Sequence, residues 1–177
     1  MSNPTDEKVL VAVASKHGST FEIAQALAAA IREGGFKVDL RELQKDEEVD
    51  DLDCYRAVIL GSAIYAGNWL PEAKIFVEQH RVALSEMPLW FFSCGPLGED
   101  EVKPKHNPAE LKTGAGDLPI LDHQIFLGKL DPSSLTFGER LVVKMVKAPS
   151  GDFREWEKVR EWGRAIAGKL RSGLVEA

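Results

Sequence analysis

Val9-Leu-Val-Ala-Val-Ala14, followed at once by Ser15-Lys-His-Gly-Ser-Thr20, is the stretch on which the fold of this chain turns. Six apolar residues in succession show no polar alternation, which is the pattern of a central parallel strand covered on both faces. The turn behind it is polar and hydroxyl-rich. Beyond Thr20, residues Ile23, Leu27, Ala30 and Ile31 recur at helical spacing, with Ser19 and Glu22 read as a capping box and Gly34-Gly35 as the stop.

Working outward, Phe36, Val38 and Leu40 alternate with Lys37, Asp39 and Arg41, as expected of an edge strand with one drier face. The acidic stretch Asp46 to Asp53 reads as a solvated connection, with attraction of a cationic partner as the alternative. Ala57-Val-Ile-Leu-Gly61 is the next buried strand, and Pro71 opens a helix with Ala73, Phe76, Val77, His80 and Leu84 on one face. Leu89-Trp-Phe-Phe92 and Ile125-Phe-Leu127 supply two more strands. The last helix is expected to begin near Asp152, with Glu155 as its capping-box partner, and to turn Trp156, Val159, Ile166 and Leu170 toward the sheet. Strands alternating with helices define an α/β, doubly wound parallel sheet of five strands in one domain over residues 1–177. Gly95 to Asp122, rich in Gly, Pro and charge, holds at most a short helix near Pro108 to Lys112 and is long enough to be functional.

Composition narrows the function. The chain has 177 residues and a net charge of −6, a sign that disfavours tracking nucleic-acid phosphates. Cys54 and Cys94 show no metal or CxxC spacing, so both are expected as free thiols in a reducing compartment. Met1 to Lys8 is polar and unlike a signal peptide, and no apolar run approaches a membrane span. The expectation is a soluble cytoplasmic protein.

Ligands of open α/β sheets bind beyond the carboxyl ends of the strands, where strand order reverses. Three loops of unusual composition leave those ends. In the first, Ser15, Lys16, His17, Gly18, Ser19 and Thr20 combine hydroxyls, a flexible glycine and a helix N-terminus, which favour an anion. Neither GxGxxG nor GxxxxGK[ST] is present, so a phosphomonoester fits better than a dinucleotide or triphosphate. An ordinary polar helix cap has the same composition. The second loop, Ser62, Ala63, Ile64, Tyr65, Ala66, Gly67, Asn68 and Trp69 after Gly61, sets two aromatics among small residues at the sheet mouth, as a flat heterocycle requires. The third, Ser93, Cys94, Gly95, Pro96, Leu97 and Gly98, offers backbone around such a ring.

Together these segments resemble the flavodoxins: Val9 to Thr20 is similar to their phosphate loop, and Gly61 to Trp69 and Ser93 to Gly98 to the two loops that hold the isoalloxazine ring. The chain more closely resembles the branch that contains the bacterial menaquinone-dependent protoporphyrinogen oxidases, through Gly61-Ser-Ala-Ile-Tyr65 and the closing Gly151-Asp-x-x-x-Trp156. The resemblance implies a flavodoxin-like sheet of strand order 2-1-3-4-5. It also implies FMN held by the twenty residues just named, and electron exchange with a quinone or small organic substrate, or with a redox protein in a carrier. Flavodoxin phosphate loops are mostly neutral, whereas Lys16 and His17 stand here; the protoporphyrinogen-oxidising branch also has a basic residue at the Lys16 position.

The reactive residues add little. His17 is assigned a minor binding role, His80 a boundary position in the core, and His106 and His123 flank the long loop without metal spacing. Cys94 either tunes a cofactor or packs, and packing is favoured. Phe137 to Lys147 forms a short helix with Leu141, Met145 and Val142 on one side and Arg140, Lys144 and Lys147 nearby. It is expected to cover the sheet edge, with contact to a membrane surface or to a quinone-side partner as the alternative.

Overall fold

The computed structural model describes residues 8–44, 49–95, 108–145, 147 and 150–173. Pro96, Leu97, Gly98, His106 and residues 46–48 of the acidic stretch lie outside them. Strand β1 (Lys8–Ala14) leads into helix α1 (Ser19–Glu33), β2 (Lys37–Glu42), β3 (Tyr55–Tyr65) and a two-residue β4 (Asn68–Trp69). Helices α2 (Pro71–Gln79) and α3 (Arg81–Ser85) precede β5 (Leu89–Gly95) and β6 (Ile120–Leu127). A small ribbon of β7 (Lys129–Leu130) and β8 (Gly151–Asp152) brackets α4 (Phe137–Met145), and α5 (Trp156–Ser172) closes the chain.

The main sheet runs β2-β1-β3-β5-β6, all parallel, with β4 hairpinned antiparallel onto β3. Leaving out β4, this is the expected order 2-1-3-4-5. Val9, Val11 and Val13 point to one face with α1 and α5; Leu10, Ala12 and Ala14 point to the other with α2 and Leu84 of α3. An unbroken apolar run therefore feeds two cores. Each fully buried Val or Leu contributes about 1.5–3 kcal/mol relative to exposure, so β1 alone binds both layers. Helices α1 and α5 cross closely at Gly163, where an added Cβ would stand 2.8 Å from the Ala30 Cβ.

Several local expectations are corrected. The Ser19–Glu22 capping box does not form, because Gly18 enters α1 at φ 85°, ψ −20°, and no side chain caps the helix; Glu22 instead accepts from Arg154 Nη1 at 2.5 Å. The helix after Pro71 breaks at His80 (φ −107°, ψ 15°), and α3 is re-aimed so that Arg81 donates to the carbonyls of Gly114 (2.6 Å) and Ala115 (2.9 Å). Asp152 lies in β8 and takes the Arg154 guanidinium, so α5 starts four residues later than expected, at Trp156. The strand at Ile125–Leu127 starts at Ile120 and carries His123 within it. Phe36 is buried just ahead of β2.

The long segment is also more ordered than its composition suggests. A 3-10 turn at Pro108–Glu110 leads to Leu111, Ala115 and Leu118, which are buried, and Lys112 N donates to the Gly67 carbonyl at 2.9 Å. It thus braces the β3–β4 hairpin. Among the described residues no helix is long and apolar enough to cross a membrane.

Gly61 pairs with Phe92 across β3 and β5, and a Cβ at Gly61 would stand 2.0 Å from the Phe92 ring. Replacing Gly61 by Ala is expected to cost about 1–3 kcal/mol through overpacking. Urea unfolding measures it; a variant as stable as the parent would show that the ring swings away freely.

Candidate functional site

Register brings the three loops to one level. Ala14 pairs with Ser62, and Ser62 with Ser93, so β1, β3 and β5 reach their carboxyl ends side by side. The chain leaves β1 toward β2 on one side and returns to β3 on the other, which makes this edge the switch point of the sheet.

The first loop is shaped by its own side chains. The Gly18 amide donates to Ser15 Oγ at 3.2 Å, and the left-handed Gly18 turns the chain sharply into α1. With no side-chain cap, the first amides of this 15-residue helix face the loop, where the helix dipole favours an anion. Lys16 and His17 are exposed, Ser15, Gly18 and Ser19 are half-buried, and Thr20 is buried. The hydroxyls of Thr20 and Ser19 adjoin the Cys94 thiol, whose burial pushes its pKa up to about 11. Cys94 is therefore a neutral packing group that ties the first loop to the third.

The second loop is mostly strand. Ser62 to Tyr65 continue β3, and Ala66 (φ 49°) and Gly67 (φ 74°) form a two-residue hairpin turn into Asn68 and Trp69. Positive φ at both positions is the geometry of a type I′ turn, and Ala66 is strained in it. Trp69 does not stand at the mouth: it is 2% exposed, packed on Phe91 with centroids 4.6 Å apart, and its Nε1 donates to Ser93 Oγ at 2.7 Å. The indole is large and apolar with one donor, and both demands are met inside. Ser62 is likewise engaged, its Oγ accepting from the Leu70 amide at 2.9 Å. Tyr65 remains as the exposed aromatic.

The third loop also begins as strand, with Ser93, Cys94 and Gly95 buried in β5. Gly95 lets Ile64 lie across it, since a Cβ there would meet Ile64 Cδ1 at 2.7 Å. Ser93 Oγ lies 2.8 Å from His123 Nε2. Ser93 Oγ accepts from Trp69 Nε1 and thus joins the indole to the imidazole in one polar chain. Burial holds the His123 pKa down to about 4, so the ring is neutral at pH 7.

Each pair of loops is thus joined: the first to the third at Cys94, the second to the third through Trp69 and Ser93, and the first to the second through Lys16 Nζ, 5.3 Å from the Tyr65 ring centre. One contributor was missed. Glu139 of α4 accepts from Lys16 Nζ and lies 3.3 Å from His17 Nε2, while its other oxygen accepts from the amide and hydroxyl of Thr136, each at 2.9 Å. The Lys16 ammonium, with help from Thr136, holds the Glu139 carboxyl down to about 2. Burial and this carboxylate push Tyr65 up to about 12. Thr136-Phe-Gly-Glu139 is a capping-box spelling, the signal that would have found it.

A doubly wound sheet with an uncapped helix N-terminus, a flanking lysine and two further loops at its switch point defines an open α/β protein whose sheet edge is suited to an anion. The chain belongs to the flavodoxin-domain family, whose family model matches residues 10–156. It is 24% identical over 176 residues to a protoporphyrinogen IX dehydrogenase [quinone] of Escherichia coli (strain K12), covering 90% of this chain and 94% of that one. Among solved structures it is similar to an archaeal flavodoxin (17% identity, TM-score 0.59, 93% of this chain and 99% of that one). It is also similar to oxidised flavodoxin 1 of Bacillus cereus (17% identity, TM-score 0.60, 92% and 98%).

His123 is depressed in the folded state from 6.5 to about 4. Its contribution to stability is accordingly complete above about pH 6.5 and is lost as pH falls toward 4. Urea midpoints at pH 7 and pH 4.5 should differ less in His123→Gln than in the parent. An equal difference would mean that His123 is not the group that titrates.

Proposed function

We propose that this chain binds FMN at the switch point and passes electrons from protoporphyrinogen IX to a quinone. What carries the FMN reading is the pairwise joining of three loops around one sheet edge, with an anion site at one end and Tyr65 at the other. In this reading Ser15, Lys16, His17, Gly18, Ser19 and Thr20 hold the phosphate. Amides of the uncapped α1 turn point at it, Lys16 offsets its charge, and the His17 ring supplies a further donor. Ser62, Ala63, Ile64, Tyr65, Ala66, Gly67, Asn68, Trp69, Ser93, Cys94 and Gly95 surround the ring, with Pro96, Leu97 and Gly98 continuing the third loop outside the described residues. Tyr65 and the hairpin backbone make the direct contacts; Trp69, Ser62 and Ser93 position that backbone from within. FMN supplies the redox chemistry.

The substrate reading is supported by the relative's similarity over nearly the full length of both chains. Oxidation of protoporphyrinogen to protoporphyrin releases six electrons and six protons, which three quinones take up as three quinols. No side-chain nucleophile is needed. The folds of the flavodoxin neighbours favour a second reading, a carrier that exchanges single electrons with protein partners in the cytoplasm.

The purified protein should be yellow or take up added FMN. Ser15→Ala combined with Ser19→Ala should weaken FMN roughly 100- to 10,000-fold, the worth of two hydrogen bonds to a charged group at about 1.5–3 kcal/mol each. Fluorescence titration of the apoprotein checks this, and unchanged affinity would place the phosphate elsewhere. Anaerobic mixing with protoporphyrinogen IX and a soluble naphthoquinone should yield protoporphyrin fluorescence. An FMN-loaded protein that gives none, yet titrates in two well-separated one-electron steps, would favour the carrier.

A further inference from the structure

Helix α4 was expected to lay Leu141 and Met145 on the sheet edge, and it does the reverse. Only Glu139 and Val143, four residues apart, turn inward and are half-buried. Phe137, Leu141 and Met145, at the same spacing on the opposite side, are 87%, 54% and 75% exposed, and Val142 beside them is 58% exposed. Four of the seven large exposed hydrophobics among the described residues therefore fall on one nine-residue helix, a concentration that solvent alone does not explain.

The charge beside this stripe has one sign. Arg140 and Lys144 share the flank of α4 next to Phe137, and with Lys147 they line a groove of about 410 Å³ against Pro132 and Leu135. Between Lys129 and Ser150 the sequence has four Lys or Arg against two Asp or Glu, in a chain of net charge −6. One of those two acids, Glu139, is turned inward onto Lys16. An outward apolar stripe flanked by cations on an otherwise acidic protein complements an anionic apolar-backed surface.

We propose that α4 docks on the surface of an anionic phospholipid bilayer, with Phe137, Leu141 and Met145 entering the headgroup boundary and Arg140, Lys144 and Lys147 meeting lipid phosphates. A second copy is a poorer occupant, because pairing two such stripes would bring their basic flanks together. The Glu139 contacts with Lys16 and His17 fix α4 beside the first loop, so docking brings the rim of the candidate site to the membrane. The surface stands on α4 alone. Only its use, access to a quinone dissolved in the bilayer, rests on the function proposed above.

Flotation of the full chain with vesicles of phosphatidylglycerol and phosphatidylcholine tests the proposal, whether or not FMN is bound. Binding should appear on the mixed vesicles, fall as salt rises, and be at least tenfold weaker on pure phosphatidylcholine. Lys144→Ala should weaken it roughly fivefold, the worth of one basic residue near an anionic surface. Leu141→Ser with Met145→Ser should abolish it; these side chains are exposed, and an unchanged far-UV spectrum verifies the fold. Absence of binding to the mixed vesicles, equal binding to both compositions, or binding unchanged in the double variant would each overturn the proposal. So would a vesicle-independent dimer that the double variant disrupts, which would assign the stripe to a second copy. Vesicle binding by a chain that takes up no FMN would leave this inference standing and remove the functional one.

Discussion

The structure depends on parallel strands buried on both faces. In β1, β3 and β5 nearly every residue is enclosed, and no water reaches the middle of the sheet to satisfy a backbone group left outside the ladder. Parallel neighbours cannot be joined by tight hairpins, so each connection crosses a face and covers it. Polar chemistry is thereby excluded from the middle and displaced to the strand ends. Alignment of Ala14, Ser62 and Ser93 then decides that the three candidate loops emerge together.

The same constraint explains how the site is supported. Apart from Tyr65, the side chains at the ends of β3 and β5 are enclosed, and several serve the scaffold. Trp69, Ser93 and His123 form one buried chain of hydrogen bonds, and Ser62 secures the residue that precedes α2. A buried polar group without a partner costs about 1–3 kcal/mol, so these pairings fix the hairpin as firmly as packing does. Ala66 can remain at positive φ because the Lys112 amide, donating to the Gly67 carbonyl, holds the turn from outside.

Most of the sheet was legible in the sequence, since continuous apolar runs and helical spacing follow from burial that is local to each segment. The strand order and the three loops followed from the resemblance and from the rule for open sheets. What composition could not reveal depended on distant partners. Trp69 looked like a surface aromatic among small residues, yet its indole found Ser93 on a strand 24 residues away. Ser19 and Glu22 spelled a cap, but the glycine before them took a left-handed conformation and Arg154 claimed the carboxylate. Leu141 and Met145 had the period of a core-facing stripe, and periodicity alone does not say which side of a helix is inward.

Glu139 joins these levels. Its capping of α4 through Thr136 is local and legible in four residues, whereas its hold on Lys16 and His17 spans more than a hundred residues of sequence. Each interaction restrains the other: the cap orients the carboxylate, and the Lys16 ammonium keeps it ionised far below ordinary glutamate pH. A phosphate at the first turn of α1 would share the Lys16 ammonium with Glu139 rather than find it free. Attraction between Lys16 and a dianion grows as the Glu139 contact loosens, and the reverse holds equally, because two anions drawing on one cation also repel each other. A phosphate in that loop would therefore be linked to the position of α4 through a single ammonium group, whatever surface the outer face of the helix meets.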